Sequence, residues 1–178
     1  MTGADALALL RAAIPSAEGE TWADLGAGGG VFTRALASLV GAGGRVYAVD
    51  SDAASIARLR ASITGGSAAA VVDMLHADVT QPLGLPPLDG VVMANVLHFV
   101  RDAGEVLTRI VSQLRPGGRV VVIEYEGRRP TRWVPSPLPA ERLASLAATA
   151  GLTMPHVVAT RPSAFGGRLY VATSVRHR

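Results

Sequence analysis

The sequence has 178 residues, of which 49% are hydrophobic and 17% are charged, and it contains no cysteine. This length suffices for one hydrophobic core, so we expect a single domain over residues 1–178. Without cysteine, the chain cannot form disulfides, thiolate metal sites or cysteine nucleophiles. No run of about 18 apolar residues and no secretory signal is recognisable, so we expect a soluble, cytoplasmic protein without a membrane partner.

The positive charge is concentrated towards the end of the chain. All 17 basic residues are arginines, and the formal net charge is only +3. Residues 1–120 hold 9 arginines against 11 acids, a net charge of −2, whereas residues 121–178 hold 8 arginines against 3 acids, a net charge of +5. A basic surface can attract an anionic substrate or nucleic acid, although scattered arginines are more often solvated surface.

The pattern of hydrophobic residues predicts alternating strands and helices. A leading helix is expected where Leu7, Leu10 and Ile14 fall at helical spacing. The segments that follow are, in chain order, TWADLG, VFTRALASLV, GRVYAVD, DAASIARLRASI, MLHADV, LDGVVMANV, AGEVLTRIVSQL, RVVVIEY and PAERLASLAATAG. Apolar strands joined by helices predict an α/β fold with a doubly wound, mostly parallel, Rossmann-like sheet.

The last two strand-like segments break this alternation. MPHVVAT and GRLYVATSV are separated only by RPSAFGG, which is too short for a crossover helix, so an antiparallel C-terminal strand pair is expected. Before them, EGRRPTRWVPSPLPA reads as a loop of about 15 residues, long enough to suggest a function.

A glycine-rich stretch follows the first predicted strand. Asp24, Gly26, Gly28 and Gly30 give the spacing acid-x-G-x-G-x-G. Glycines between a strand and a helix allow a ligand to approach the backbone closely, and the helix N-terminus favours an anionic group. A mononucleotide, a dinucleotide or S-adenosylmethionine would fit such a loop, and a purely structural tight turn is the alternative.

Two features narrow this choice of ligand. The dinucleotide fingerprint requires a small residue where this chain has Val31, and a phosphate-binding P-loop requires a lysine, which the chain lacks. Asp50 closes the second predicted strand 20 residues after Gly30, where a carboxylate can accept hydrogen bonds from ribose hydroxyls. An adenosine-containing ligand is therefore favoured.

Five stretches in order resemble the motifs of class I S-adenosylmethionine-dependent methyltransferases of the small-molecule type. They are DLGAGGG, VYAVDSD, HADVTQPL, LDGVVMANVLHFV and LRPGGRVVVIEY. The resemblance implies the class I methyltransferase fold, S-adenosylmethionine as cofactor and a small-molecule methyl acceptor. The antiparallel ending also resembles the final strand pair of that family.

The resemblance also assigns cofactor-binding roles. The residues concerned are Asp24 at the ammonium group, Gly26, Ala27, Gly28 and Gly30 around the methionine portion, Asp50 and Ser51 at the ribose and adenosine, Ala77, Asp78 and Val79 at the adenine, and Asn95 near the sulfonium. A turn-forming role is the alternative for Asp78.

His98 is the predicted catalytic base, because it follows the fourth strand and an unperturbed histidine titrates near neutral pH. Its alternative role is packing beneath the acceptor pocket or capping a backbone group. We expect His76 to be structural and assign no role to the two remaining histidines. The dispersed histidines and acids predict no metal site.

The acceptor would be recognised by the loops EGRRPTRWVPSPLPA and RPSAFGG. Trp133 and Phe165 are candidate apolar contacts, and Arg128, Arg129 or Arg132 could bind an acidic group. For Trp133, anchoring the loop by packing is an equal alternative.

Three other functions stay open. They are an RNA methyltransferase that uses the arginine-rich third, a non-catalytic cofactor-binding protein and, more remotely, an NAD oxidoreductase. Amino-methylating nucleic-acid enzymes are disfavoured because ANVLHF stands where their Asp/Asn-Pro-Pro-Tyr signature would be. Cytosine C5 and arsenite methylation are disfavoured because both need cysteine. The oligomeric state is unknown.

Overall fold

A computed structural model describes residues 1–63, 70–163 and 166–178. The helices are α1 (Gly3–Ala13), α2 (Val31–Val40), α3 (Ala53–Ser62), α4 (Ala103–Ser112) and α5 (Ala140–Thr149). The strands are β1 (Thr21–Leu25), β2 (Arg45–Asp50), β3 (Val71–His76), β4 (Leu88–Ala94), β5 (Leu114–Glu126), β6 (His156–Pro162) and β7 (Arg168–Val175). A 3₁₀ turn spans Leu97–Phe99.

All seven strands lie in one sheet, in the order β3-β2-β1-β4-β5-β7-β6. Strands β1 to β5 pair in parallel, whereas β7 is antiparallel to both β5 and β6. The mostly parallel doubly wound sheet with an antiparallel C-terminal pair, predicted from the sequence, is thus confirmed.

The helices cover both faces of the sheet. Buried side chains of α1 and α2 pack with Trp22, Val92 and Ile123 on one face. Buried side chains of α4 and α5 pack with Leu25 and Met93 on the other face. Because alternate residues of a strand point to opposite faces, Asp24 shares the face of Trp22 and lies under α2.

The third predicted strand is displaced by three residues. The segment MLHADV predicts a strand over residues 74–79, but β3 spans Val71–His76. The backbone leaves the sheet here because a side-chain oxygen of Asp78 accepts a hydrogen bond from the Thr80 amide at 2.8 Å, which forms a turn. Asp78 therefore lies in a loop at the carboxyl edge of the sheet.

Polar residues gather at this edge because parallel strands all end there. Asp50 ends β2, Asn95 follows β4, and Glu124 lies near the end of β5. In open α/β sheets, ligands bind beyond this edge. Across the described part of the chain, no helix has the length and apolar character needed to cross a bilayer.

Candidate active site

The turn from β1 into α2 depends on glycine at two positions. Gly26 has φ +80°, and a Cβ added to it would lie 2.2 Å from Cγ2 of Val96. Gly30 has φ +75°, and its added Cβ would lie 2.1 Å from Cδ1 of Leu59 on α3. A side chain at either position would be strained and would clash. Gly26 therefore allows Val96 to pack closely against the turn, while Gly30 allows α2 and α3 to pack closely.

Asp24 lies beneath this turn and is only 1% exposed. Its Oδ2 accepts a hydrogen bond of 2.6 Å from the hydroxyl of Thr33, which is also fully buried. Burial raises the pKa of Asp24 from 3.8 to about 6, the bond from Thr33 opposes this change, and the negative charge of Asp50 adds to it. The sequence does not single out Thr33, whose only signal is its position in the first turn of α2.

Asp50 connects the glycine turn to the start of α3. One carboxylate oxygen accepts from the Gly28 amide at 2.7 Å, and the other accepts from the Asp52 amide at 2.8 Å. These bonds fix the carboxylate in place, and each oxygen retains a further lone pair for a ligand.

A cavity of about 440 Å³ opens above these groups, and we call it the glycine-loop cavity. It is lined by Gly26, Asp50, Ser51, Asp78, Val79, Thr80, Asn95, Val96, Phe99 and Val100. Six of the predicted cofactor-binding residues are in this lining: Gly26, Asp50, Ser51, Asp78, Val79 and Asn95. The other four were not predicted from the sequence, although each lies within two residues of a predicted position.

The remaining predicted cofactor residues are not in the cavity lining. Asp24 and Gly30 are buried under the turn, and the Gly28 amide is bonded to Asp50. Ala27 packs with Ala48 and Leu59 in the core, and the Ala77 amide donates to the backbone oxygen of Asp50. The contacts of these five residues in the structure are with the turn and the strand ends, and their role in cofactor binding stays a prediction.

Asn95 has an unusual backbone and an unpaired side chain. Its φ is +58°, the only positive φ of a non-glycine residue in the described ranges. Its backbone amide donates to the oxygen of Ile123 at 2.8 Å, but its buried Oδ1 has no hydrogen-bond partner in the described structure. Strained residues and unpaired buried polar atoms are both enriched at ligand sites.

A second cavity, also of about 440 Å³, adjoins the first and shares Asn95 and Phe99 with it. We call it the aromatic cavity. Its lining consists of Asn95, His98, Phe99, Tyr125, Arg128, Trp133 and Val134. The two cavities are therefore neighbours at Asn95 and Phe99.

His98 and Glu124 form a buried pair at the aromatic cavity. Their side chains are 2% and 0% exposed, and Nδ1 of His98 lies 2.7 Å from Oε2 of Glu124. The other oxygen of Glu124 accepts from the His98 amide at 3.2 Å. The two residues are 26 positions apart, and only the neighbouring ends of β4 and β5 bring them together.

The loop between β5 and α5 forms one side of the aromatic cavity. Val134 and Leu138 anchor it, since they are 3% and 1% exposed, and the Ser136 amide donates to the backbone oxygen of His98 at 2.9 Å. Trp133 is instead 69% exposed. The proposed packing role of Trp133 is therefore wrong, because its neighbours hold the loop and leave the indole at the cavity.

The other predicted candidates are placed as follows. Arg128 lines the aromatic cavity, Arg129 is exposed outside it, and the Arg132 guanidinium lies 4.7 Å from the Trp133 ring centroid. His76 bonds to the backbone oxygen of Ser51 at 3.1 Å, in keeping with a structural role. Phe165, and with it part of the RPSAFGG loop, lies outside the described residues. Within those residues, no three histidines or acids are grouped closely enough to hold a metal.

Comparisons with known proteins agree on one family. The family model described as a methyltransferase domain matches residues 23–122, which is more than half of the chain. A search of curated protein sequences found no match.

Many solved structures share the fold. The N-methyltransferase NodS from Bradyrhizobium japonicum superimposes with a TM-score of 0.76 at 20% identity, over 98% of this chain and 96% of NodS. An arsenic(III) S-adenosylmethionine methyltransferase from Chlamydomonas reinhardtii gives 0.74 at 21% identity, over 99% of this chain and 73% of that one.

A third structure is the 1,6-didemethyltoxoflavin-N1-methyltransferase of Burkholderia thailandensis. It matches with a TM-score of 0.72 at 26% identity, over 99% of this chain and 78% of that chain. It was solved with 1,6-didemethyltoxoflavin and S-adenosylhomocysteine bound. The chain described here belongs to the methyltransferase domain family, and it is an S-adenosylmethionine-dependent methyltransferase with the class I fold.

Proposed function

We propose that the protein transfers a methyl group from S-adenosylmethionine in the glycine-loop cavity to a small molecule in the aromatic cavity. The observation that carries this proposal is the adjoining pair of cavities, which share Asn95 and Phe99. Methyl transfer is an in-line displacement, so the enzyme must mainly hold two molecules close and aligned. Two cavities that adjoin at Asn95 and Phe99 would place the two molecules side by side.

The glycine-loop cavity suits the methyl donor. Asp50 would accept hydrogen bonds from the ribose hydroxyls, and Asp78 would accept from the adenine amino group, since both carboxylates are in its lining. Gly26 is in the cavity lining without a side chain, so the methionine portion would approach its backbone closely. The unpaired Oδ1 of Asn95 would place a partial negative charge near the positively charged sulfur. Bound S-adenosylmethionine supplies the methyl group on a positively charged sulfur.

His98 would remove a proton from the acceptor. A carboxylate can only accept hydrogen bonds, so Glu124 keeps the proton of the imidazole on Nδ1 and leaves Nε2 as the basic nitrogen. No residue in the described part of the chain hydrogen-bonds Nε2, and His98 lines the aromatic cavity. Glu124 is therefore a positioning residue for the base.

The arginines of the C-terminal third give little support to the RNA alternative. Arg161 pairs with Asp5, and Arg168 donates to Thr160. Arg176 donates to two backbone oxygens at the α4–β5 junction. These contacts hold three of the eight arginines of residues 121–178 against the protein, which makes these three less available to a phosphate backbone. The related structure with bound 1,6-didemethyltoxoflavin adds weight to a small-molecule acceptor.

Calorimetric titration with S-adenosylmethionine, S-adenosylhomocysteine and NADH tests the donor site. We expect saturable binding of the two sulfur compounds and none of NADH. Asp78→Ala should weaken S-adenosylhomocysteine about tenfold, the scale for losing a hydrogen bond to a charged group. Asp73→Ala is the matched control, because Asp73 pairs with Arg45 away from the cavity.

Asp50→Ala is a less specific test, because it would also remove the acceptor of the Gly28 amide. Equal affinity of wild type and Asp78→Ala would refute the adenine assignment, and NADH binding without the sulfur compounds would refute the donor site itself. A cytoplasmic location remains part of the proposal and is tested by fractionating the host cell.

A further inference from the structure

Aromatic rings form the mouth of the aromatic cavity and are unusually open to solvent. Trp133 is 69% exposed and Phe99 is 58% exposed, although both are in the cavity lining. The ring of Tyr125 and the side chain of Val134 add further apolar wall. Grouped exposed aromatics mark binding surfaces, and rings prefer to stack on or pack edge-on against other rings. A flat aromatic ligand would fit between such walls.

The same cavity contains a cation without an anionic partner. The guanidinium of Arg128 lies 4.9 Å from the ring centroid of Tyr125. It forms no ion pair with any carboxylate that the structure describes. Its nearest acids in sequence are engaged elsewhere, because Glu124 bonds to His98 and Glu126 accepts from the Ala140 amide at 3.0 Å. Arginine binds carboxylate and phosphate groups with a matching planar fork.

The reacting end of the cavity is defined by its contact with the glycine-loop cavity. His98 lines the aromatic cavity together with Asn95, which both cavities share, and no described residue hydrogen-bonds its Nε2. A base held by a carboxylate is useful when the acceptor has a weakly acidic hydrogen, as in a phenol. The hydroxyl, rather than the anionic group, would therefore face His98.

We propose that the acceptor is a hydroxylated aromatic molecule with an anionic substituent. Its ring lies between Trp133 and Phe99, its anionic group pairs with Arg128, and its hydroxyl faces His98. This inference rests on the function proposed above. The cavity volume of about 440 Å³ is in the range of small-ligand pockets.

The reaction balances as a phenol methylation. The hydroxyl proton passes to Nε2 of His98, and the hydroxyl oxygen forms a bond to the methyl carbon. The bond between that carbon and sulfur breaks, and its electron pair stays on sulfur. The products are an aryl methyl ether and S-adenosylhomocysteine, and the proton leaves His98 to solvent.

Binding to the protein saturated with S-adenosylhomocysteine tests this inference. The probes are hydroxybenzoates, hydroxycinnamates and hydroxynaphthoates, each with its methyl ester and, for the benzoates, the ring-saturated hydroxycyclohexanecarboxylate. We expect calorimetry to show that at least one aromatic acid binds about tenfold or more tightly than its ester and its saturated counterpart. With S-adenosylmethionine, the bound acid should give a methyl ether, which resists alkaline hydrolysis.

Two variants and a control connect this preference to the structure. Arg128→Gln should remove the advantage of the acid over the ester and leave ester binding unchanged, which also shows that the cavity is intact. Trp133→Leu should weaken the acid and the ester alike. Arg129→Gln, an exposed neighbour outside the cavity, should change neither.

Three results would overturn the inference. They are no binding of any aromatic acid in the panel, equal affinity for acids and their esters or saturated counterparts, and an alkali-labile methyl ester as product. Failure of S-adenosylhomocysteine to bind would instead overturn the proposed function on which the inference rests.

Discussion

The buried carboxyl of Asp24 makes the stability of this protein depend on pH in an unusual direction. Most native carboxylates stabilise the folded state when ionised, whereas burial raises the pKa of Asp24 from 3.8 to about 6. The folded protein therefore binds more protons than the unfolded chain between these two values. Its free energy of unfolding should fall as the pH rises through that range.

The size of the effect follows from the pKa change. A difference of about two pH units corresponds to about 3 kcal/mol between the two protonation states. The contribution of Asp24 is fully present below about pH 3.8 and is lost as the pH passes 6. Asp24→Asn removes this titration and keeps an oxygen that can accept the bond from Thr33.

Urea unfolding of wild type and Asp24→Asn at pH values from about 4 to 7.5 measures the effect. As the pH rises over this range, the unfolding free energy of wild type should fall relative to that of Asp24→Asn by up to about 3 kcal/mol. The contributions of the other titrating groups are the same in both proteins and cancel in the comparison. Thr33→Val removes the bond that lowers the pKa of Asp24, so this pKa should rise further. The free energy of unfolding of the Thr33→Val variant should therefore continue to fall above pH 6. A difference between wild type and Asp24→Asn that does not change with pH would refute the reasoning.

Three further predictions address the turn, the base and the loop. His98→Ala should lower turnover about 100-fold or more without changing S-adenosylhomocysteine affinity in calorimetry, and an unchanged rate would leave the histidine a packing role. Gly26→Ala places a methyl group 2.2 Å from Cγ2 of Val96 at φ +80°, so S-adenosylhomocysteine binding should weaken about tenfold or more. The double variant Gly26→Ala/Val96→Ala should recover only the part of this loss that comes from the clash with Val96, because the strain of the positive φ remains. In urea unfolding, Trp133→Ala should change stability by less than about 0.5 kcal/mol, whereas Val134→Ala should cost about 2 kcal/mol. Similar costs would mean that Trp133 does anchor the loop.

The donor side of the site could be predicted because its residues are fixed by local chain geometry. Glycines after β1 and an acid at the end of β2 occur at spacings that follow from one strand, one turn and one helix. The sequence therefore located Gly26 and Asp50 at the cavity. It did not reveal that Asp50 also holds the Gly28 amide, because that bond depends on how β2 lies beside the turn.

The acceptor side was harder to predict because its partners are far apart in the chain. Glu124 was recognisable only as a residue near the end of β5, and its bond to His98 depends on the register of β4 against β5. The prolines near Trp133 did not decide between a cavity contact and a packing role for its side chain. The exposure of this side chain depends on which neighbouring residues of the loop are buried. The burial of Val134 and Leu138 decides this point.

The pH dependence of stability can also decide whether Asp24 contacts the ligand or only supports the turn. S-adenosylhomocysteine carries a positively charged ammonium group, and a cation near a buried carboxyl lowers its pKa by favouring the ionised form. If the ammonium lies near Asp24, saturating ligand should remove the fall in stability between pH 4 and 6, and ligand affinity should increase through the same range. Asp24→Asn would then bind the ligand with an affinity that does not increase there. Equal pH dependence of affinity in the two proteins would limit Asp24 to holding Thr33 and the turn above it.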